Sequence, residues 1–484
     1  MSVDGILGRH VVATRAISAG EVILRCRPLA VGPKATTAPV CLGCCRLSSE
    51  ASDGEDDGPR HACGGCGWPL CSRRCQRSSL HREECGLLRA ASSTASSTAS
   101  SEALPYAAVL PLRCLLLRGR RRRAVRGLQS HLEERVRDSA PYQPHGAQGR
   151  AAAFVREPPA RVEDEALRMA AILDTNAFDV SRDGTEARAL FGSVSMLSHD
   201  CRANARCAML GLQELGVLAQ RDIAAGDVIS ISYYGDGLRG ALQRRRHLRA
   251  TKCFDCRCAR CADPTDLGLR LDGVRCIRCN GREGRPALLQ SEAPLDAAAD
   301  WRCERCGFAL SADQMEMGHR RLRAQVGALE LEGGVVGAEA FLAEHLGPGG
   351  LLHPTSAHVL RVKLGLLAGV YAHIPGCTPP PDVDDASLAR GVAMCEELLA
   401  AVAVLDPGLS ALRGSLLLRL HGLVLERARR AATSTASGED VQTARRLFRE
   451  TETIFMDLET RTELQKRKAM AEDWIRDNIV GASS

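Results

Sequence analysis

Cysteine spacing constrains this chain more than any other feature. Between residues 41 and 85 stand four pairs: Cys41-x2-Cys44, Cys63-x2-Cys66, Cys71-x3-Cys75 and His81-x3-Cys85. Eight nitrogen and sulfur ligands in four pairs make two closed tetrahedral zinc sites. So short a module cannot build an adequate apolar core, so metal must supply much of its folding energy. Farther on, Cys276-x2-Cys279 and Cys303-x2-Cys306 form two separated knuckles, a zinc-ribbon pattern. A third cluster is Cys256-Arg-Cys258-Ala-Arg-Cys261.

The chain has 484 residues and 22 cysteines. No stretch approaches the roughly 18 apolar residues of a membrane span, and the N-terminus lacks an apolar core of signal-peptide length. An intracellular protein is expected, with reduced thiols that read as metal ligands rather than disulfides. The formal charge of +6 is small for this length. It does not force a nucleic-acid reading, which a local basic patch would have to carry. Two to four domains are expected.

Val11–Leu24 reads as two short strands about a turn, and Ala219–Ile231 repeats the pattern. Gly20 and Gly226 stand where each turn can demand a positive φ. The loop 48–59 is acidic, and 91–102 is a Ser/Thr-rich linker too polar to pack. Helical period covers 104–137, where Arg120–Arg123 reads first as a solvated face and second as a nuclear-localisation or phosphate-binding run. A helix spans 162–177. From 311 on, Ala, Leu and Arg predict helices at 311–331, 335–346, 355–374, 386–404, 408–433, 439–457 and 459–478.

Phe191–Cys207, FGSVSMLSHDCRANARC, packs His199, Cys201 and Asn204 into six positions behind an apolar run. It precedes Ile229-Ser-Ile-Ser-Tyr-Tyr234. SHDCRAN resembles the NHSCxPN motif of SET-domain lysine methyltransferases. Ser-Ile-Ser-Tyr233 resembles the strand bearing their catalytic tyrosine, and CxCxxC their post-SET zinc site. The first cysteine cluster matches the MYND finger, so the chain is identified as a member of the SET and MYND domain (SMYD) family, in a form like those of arthropods.

That resemblance implies an α+β fold: a β-rich SET domain (1–240) split by a MYND zinc finger (41–85), then a post-SET zinc segment (241–262). A zinc-ribbon-like module (270–310) and a helical, TPR-like domain (311–484) follow. Interleaved MYND ligands are implied, Cys41, Cys44, Cys71 and Cys75 on one zinc, Cys63, Cys66, His81 and Cys85 on the other. A third zinc would take Cys201, Cys256, Cys258 and Cys261. With Cys276, Cys279, Cys303 and Cys306, four zinc ions are expected. Tyr233 aligns with the catalytic tyrosine. Gly8, Arg9, His10, His131, Ser198, His199, Tyr233 and Phe254 stand at positions that hold S-adenosyl-L-methionine. Ser198 replaces an Asn whose amide offers more hydrogen bonds than a hydroxyl, Arg9 lies in the variant turn Gly8-Arg9-His10, and Lys252 stands where relatives place a channel tyrosine.

The resemblance thus implies an S-adenosylmethionine-dependent protein-lysine methyltransferase of nucleus and cytoplasm, acting on histone or other proteins in transcriptional regulation. The alternative is a zinc-built adaptor with a decayed centre, acting through a MYND finger that binds proline-rich peptides of transcriptional regulators beside Trp68 and Gln76. A monomer is expected, without membrane contact. Direct nucleic-acid binding is not expected, because neither zinc cluster before residue 100 offers a basic, base-reading helix.

Overall fold

The computed structural model describes residues 2–4, 7–34, 40–45, 61–92, 106–138, 160–182, 185–211, 214–235, 237–279, 287–330, 334–370, 383–431 and 436–455. The acidic loop 48–59, most of the linker 91–102 and the expected helix 459–478 lie outside them.

The two similar hairpins pair with each other. Ile17 bridges Ile223 and Val12 bridges Val228, both antiparallel, and Gly226 donates its N–H to Ala13 O at 2.8 Å. Gly20 (φ +83°) and Gly226 (φ +90°) both adopt the positive φ that a turn of this type demands. The expected strand at Val11–Thr14 is reduced to that isolated bridge, because its neighbours make crossing contacts rather than a ladder. The regular strand is Val22–Cys26, which pairs with Glu214–Ala219, itself paired to Ala205–Gly211. A second sheet joins Ala30–Pro33, Thr185–Leu190 and Phe178–Arg182. Between them lies one apolar core, including Ile17, Phe191, Val194, Leu197, Val217, Ile223, Ile229 and Ile231.

The 104–137 stretch is not one helix. A 3-10 turn at Tyr106–Ala108 leads into Val109–Leu116, Gly119–Arg126 and Leu132–Asp138. The breaks fall where Gly119 and His131 take positive φ, a conformation no helix continues through. The finger docks on this segment. Trp68 is 2% exposed and meets Tyr106 edge-on at 5.5 Å, so the expectation that Trp68 offers its face to a peptide is corrected: the ring is core. Arg113, buried, donates to both oxygens of buried Glu84 (2.8 and 2.6 Å) and to the carbonyls of Val31 and Leu42. One guanidinium thus ties the finger to the β-domain.

Beyond the ribbon come helices Ala312–Ala328, Gly334–Leu346, Ala357–Val370, Asp385–Leu405, Ala411–Arg430 and Ala436–Ile454. Their starts are set by local chemistry: Ser311 and Gln314 form a capping box, and Asp384 and Ser410 cap the fourth and fifth. Largely consecutive helices pack on each other through Leu388, Cys395, Leu398, Leu405, Leu416, Leu423 and Val424. None of the described helices is long and apolar enough to cross a membrane. The loop at 406–409 seats this layer on the β-domain. Gln220 O accepts from Leu409 N at 2.9 Å, and Gly408 (φ +86°) comes so close that an added Cβ would lie 2.0 Å from Gln220 O.

His319 and His358 face each other across two of these helices, Nδ1 to Nε2 at 3.0 Å, both buried. Burial holds both below the usual histidine range, His358 at about 3. The unfolded chain takes up protons from about pH 6.5 downward, and the folded chain does not until far lower. Stability is therefore expected to be intact above pH 6.5 and to fall as pH drops towards 3, by up to about 1.4 kcal/mol per pH unit for His358, with a contribution of the same sign from His319. Urea midpoints across that range test this, and His358→Gln should flatten the slope by about one proton.

Candidate active site and metal centres

Four sets of ligand atoms converge, each within 4.8 Å: Cys41, Cys44, Cys71 and Cys75; Cys63, Cys66, His81 and Cys85; Cys201, Cys256, Cys258 and Cys261; and Cys276, Cys279, Cys303 and Cys306. The interleaving in the finger is the arrangement expected from the MYND resemblance. A tetrahedron with Zn–S near 2.3 Å has edges of about 3.8 Å. The sulfurs stand at such distances: Cys44 to Cys71 3.7 Å, Cys63 to Cys85 3.6 Å, Cys201 to Cys256 3.8 Å, Cys276 to Cys306 3.6 Å. These sets fit zinc, and elemental analysis is expected to return four zinc ions per chain. A count of three would remove one set from this assignment.

The second finger site, with His81, has outer support. His81 Nδ1 lies 3.7 Å from Glu84, the carboxylate that Arg113 clasps. A carboxylate behind a ligating imidazole fixes its orientation. The third set has a stronger brace. Arg260 (1% exposed) donates to Asp266 at 2.6 Å and to the carbonyls of Cys201 and Gly237. Arg244, fully buried, donates to the other Asp266 oxygen at 2.6 Å. Sequence reasoning passed over all of these charged residues. The one available signal was Arg260 lying inside the CxCxxC run.

The motif and the tyrosine strand meet as a parallel pair, Ser198 opposite Ser230 and His199 opposite Ile231. Asn204 staples the crossing: its Nδ2 donates to Val228 O at 2.8 Å and its Oδ1 accepts from Ser230 N at 2.9 Å. Here His199, Tyr233 and Phe254 form one cluster, with centroids 5.2 Å (His199–Tyr233), 6.0 Å (His199–Phe254) and 6.3 Å (Tyr233–Phe254) apart. Phe254 is aimed inward by the left-handed cap at Cys253 that ends helix Ala241–Lys252. His199 Nδ1 accepts the Tyr233 N–H at 3.1 Å, so Nε2 bears the proton and points it at Cys201 Sγ, 3.3 Å away. The ring is thus committed to the zinc set and the tyrosine strand. The expectation that His199 serves a cofactor narrows to its backbone.

Tyr233 donates its hydroxyl proton to Leu197 O at 2.6 Å. Burial pushes that phenol up to about 12, so it stays neutral and offers oxygen lone pairs. Ser198 is buried and its Oγ has no hydrogen-bond partner among the described residues, an orphaned polar atom of the kind a bound ligand satisfies. The turn at Gly8 (φ +64°) has open space beside its Cα. It is held near the crossing because Ile229 N donates to Val11 O and Arg9 donates to Gly127 O at 2.6 Å. His10 is turned back on Gly8 O at 3.0 Å. His131, at φ +51°, begins the turn that Arg135 fastens to Thr175 and Thr251. Lys252 donates to Thr175 O at 2.6 Å, at the carbonyl end of helix Ala160–Asn176, and its Nζ lies 5.8 Å from the Tyr233 ring centre. Burial, with Arg188 and Arg135, pushes its amine down to about 8.

This constellation matches a known domain. The SET domain model covers residues 8–234, from the glycine turn through both tyrosines. SmydA-8 isoform B, a SET domain-containing protein of Drosophila melanogaster, is 33% identical over 306 residues, 62% of this chain and 65% of its own length. The chain thus carries a SET domain and is similar to a SET domain-containing Smyd protein over that stretch. Human histone-lysine N-methyltransferase SMYD3 is 39% identical over 72 residues, 15% of this chain and 16% of its own. SET5 of Vanderwaltozyma polyspora, also named a histone-lysine N-methyltransferase, is 35% identical over 72 residues. Proteins that share this domain thus include named lysine methyltransferases. The chain aligns with just under two thirds of the length of the Drosophila relative.

Proposed function

We propose that the protein is an S-adenosylmethionine-dependent protein-lysine N-methyltransferase. The observation that carries this is the crossing itself: a neutral Tyr233 hydroxyl, its proton spent on Leu197 O, beside an aromatic cluster and the unpartnered Ser198 hydroxyl. Gly8, Arg9, His10, His131, Ser198, the His199 backbone and Phe254 would hold the cofactor. When bound, it supplies a methyl group on a sulfonium centre. The Tyr233 oxygen accepts weak C–H···O contacts from such a methyl. The half-buried, aromatic-walled setting favours a neutral amine over an ammonium, as the transfer requires. Lys252 stands by as a tethered cation, which bears on which side chains enter.

Labelled cofactor with core histones and whole-extract proteins tests the reading: methyl transfer to lysine supports it, and neither cofactor binding nor transfer supports the adaptor. Relatives named as histone methyltransferases make histones the first substrates to try. On the same reading the finger binds proline-rich peptides of transcriptional regulators, already near their bound shape, around half-buried Gln76 rather than Trp68. The protein works as a monomer in nucleus and cytoplasm, with the module boundaries given above.

A further inference from the structure

The catalytic reading leaves Arg120–Arg123 unused, and the structure gives that run a defined setting. On helix Gly119–Arg126 with its cap Arg118, all six arginines are exposed, and Val125 is the residue that turns inward. Two edges of the helix are tied down. Arg121 donates to Pro28 O at 3.2 Å, and Arg126 and Arg122 share Glu165 at 2.7 and 3.8 Å. At 3.6 residues per turn, Arg120 and Arg123 face outward between those edges. Neither they nor Arg118 has a side-chain hydrogen bond or ion pair among the described residues. The surface continues through exposed Arg27, next to Pro28, and through Arg9 and Arg168, which donate to the carbonyls of Gly127 and Arg126. Glu165 is the carboxylate that these arginines pair with among the described residues.

The helix breaks its own local rules. Its first turn has no acid and Arg118 gives no side-chain cap, so cations crowd the positive end of the dipole. Like charges three and four apart repel as well. A break in local consistency without compensation inside the fold marks a functional surface. The whole chain's small net charge says nothing against so dense a local patch.

We propose that this face docks the phosphate backbone of duplex DNA. Arginines alone position a duplex without reading its sequence. Single strands are held with aromatic stacking platforms, and no Phe, Tyr or Trp is among the exposed large hydrophobics of the described residues. The helix has no exposed apolar face to insert in a membrane, since Val125 is buried, so an anionic surface would hold it by charge alone, which the vesicle arm below tests.

Fluorescence anisotropy of the zinc-loaded full chain with a labelled duplex of about two helical turns tests this across a salt series. Binding should weaken with salt at a logarithmic slope of about −0.9 per phosphate neutralised. The triple variant Arg118→Gln, Arg120→Gln, Arg123→Gln should bind at least tenfold more weakly at low salt, with its slope shallower by about 2.7 and its melting temperature unchanged. A control triple on the C-terminal helices, Arg321→Gln, Arg446→Gln, Arg449→Gln, removes the same charge and should bind as the parent does. Equal loss in both triples would reduce the effect to net charge and overturn the assignment. So would tighter binding of single-stranded RNA, preference for anionic vesicles, or no duplex binding at low salt.

Discussion

Replacing Asp266 with Ala is expected to cost about 3–5 kcal/mol of stability, the usual loss when one partner of a buried ion pair is removed. The cost here falls on two guanidiniums, Arg244 and Arg260, both essentially without solvent access. Neither can recover its lost partner from water. Asp266 also sits at φ +50°, where Asp is tolerated better than Ala, so the backbone adds to the loss. Damage should begin at the third zinc set, because Arg260 holds the carbonyl of Cys201, and then reach His199, whose Nε2 rests on Cys201 Sγ. Urea unfolding reads the first effect. The second is read as one zinc per chain becoming open to a chelator before the other three. Asp266→Asn keeps one acceptor oxygen and should lose less. An unchanged urea midpoint in Asp266→Ala would mean that the two arginines are held by their carbonyl contacts alone.

Tyr233→Phe is expected to reduce methyl transfer on the order of 10- to 100-fold while leaving cofactor affinity nearly intact. On the proposed reading the hydroxyl oxygen would meet the reacting methyl and amine, so its loss would fall on the transition state rather than on ground-state binding. A single C–H···O contact is worth only about 0.5–1 kcal/mol. The larger share comes from positioning, since small displacements of reacting groups are costly. Removing the hydroxyl also frees Leu197 O from its 2.6 Å partner, which loosens the residue before Ser198. Single-turnover kinetics with saturating cofactor separates the two effects. Equal loss of binding and rate would make Tyr233 a binding residue.

How much of this was legible in the sequence depended on distance along the chain. The finger and ribbon ligands lie within a few tens of residues and read directly from spacing. The set joining Cys201 to Cys256, Cys258 and Cys261 crosses the whole post-SET turn, and only the resemblance pointed to it. Gly20 and Gly226 were readable because a positive φ leaves its mark in a single residue. The braces were not readable. In a chain with 64 Lys and Arg, nothing marks Arg113, Arg244 or Arg260 as buried, since the carboxylates that hold them lie elsewhere in the fold. Trp68 was misplaced for the same reason: its neighbour Tyr106 decides which way it faces. The helical period over 104–137 does not show where it breaks, because His131 takes a positive φ that its residue type does not announce. His199 does lie at the crossing, but which atoms it spends there depends on Tyr233 N–H and Cys201 together.

The most direct test of the methyltransferase reading is isothermal titration of the zinc-loaded protein with S-adenosylmethionine. The Ser198 hydroxyl, the open Gly8 turn and Phe254 together predict one site in the micromolar range, about −8 kcal/mol. Ser198→Asn should tighten it by roughly 1 kcal/mol, the net worth of an added hydrogen bond. Absence of binding in both the parent and Ser198→Asn, with four zinc ions in place, would contradict it and leave the zinc-built adaptor.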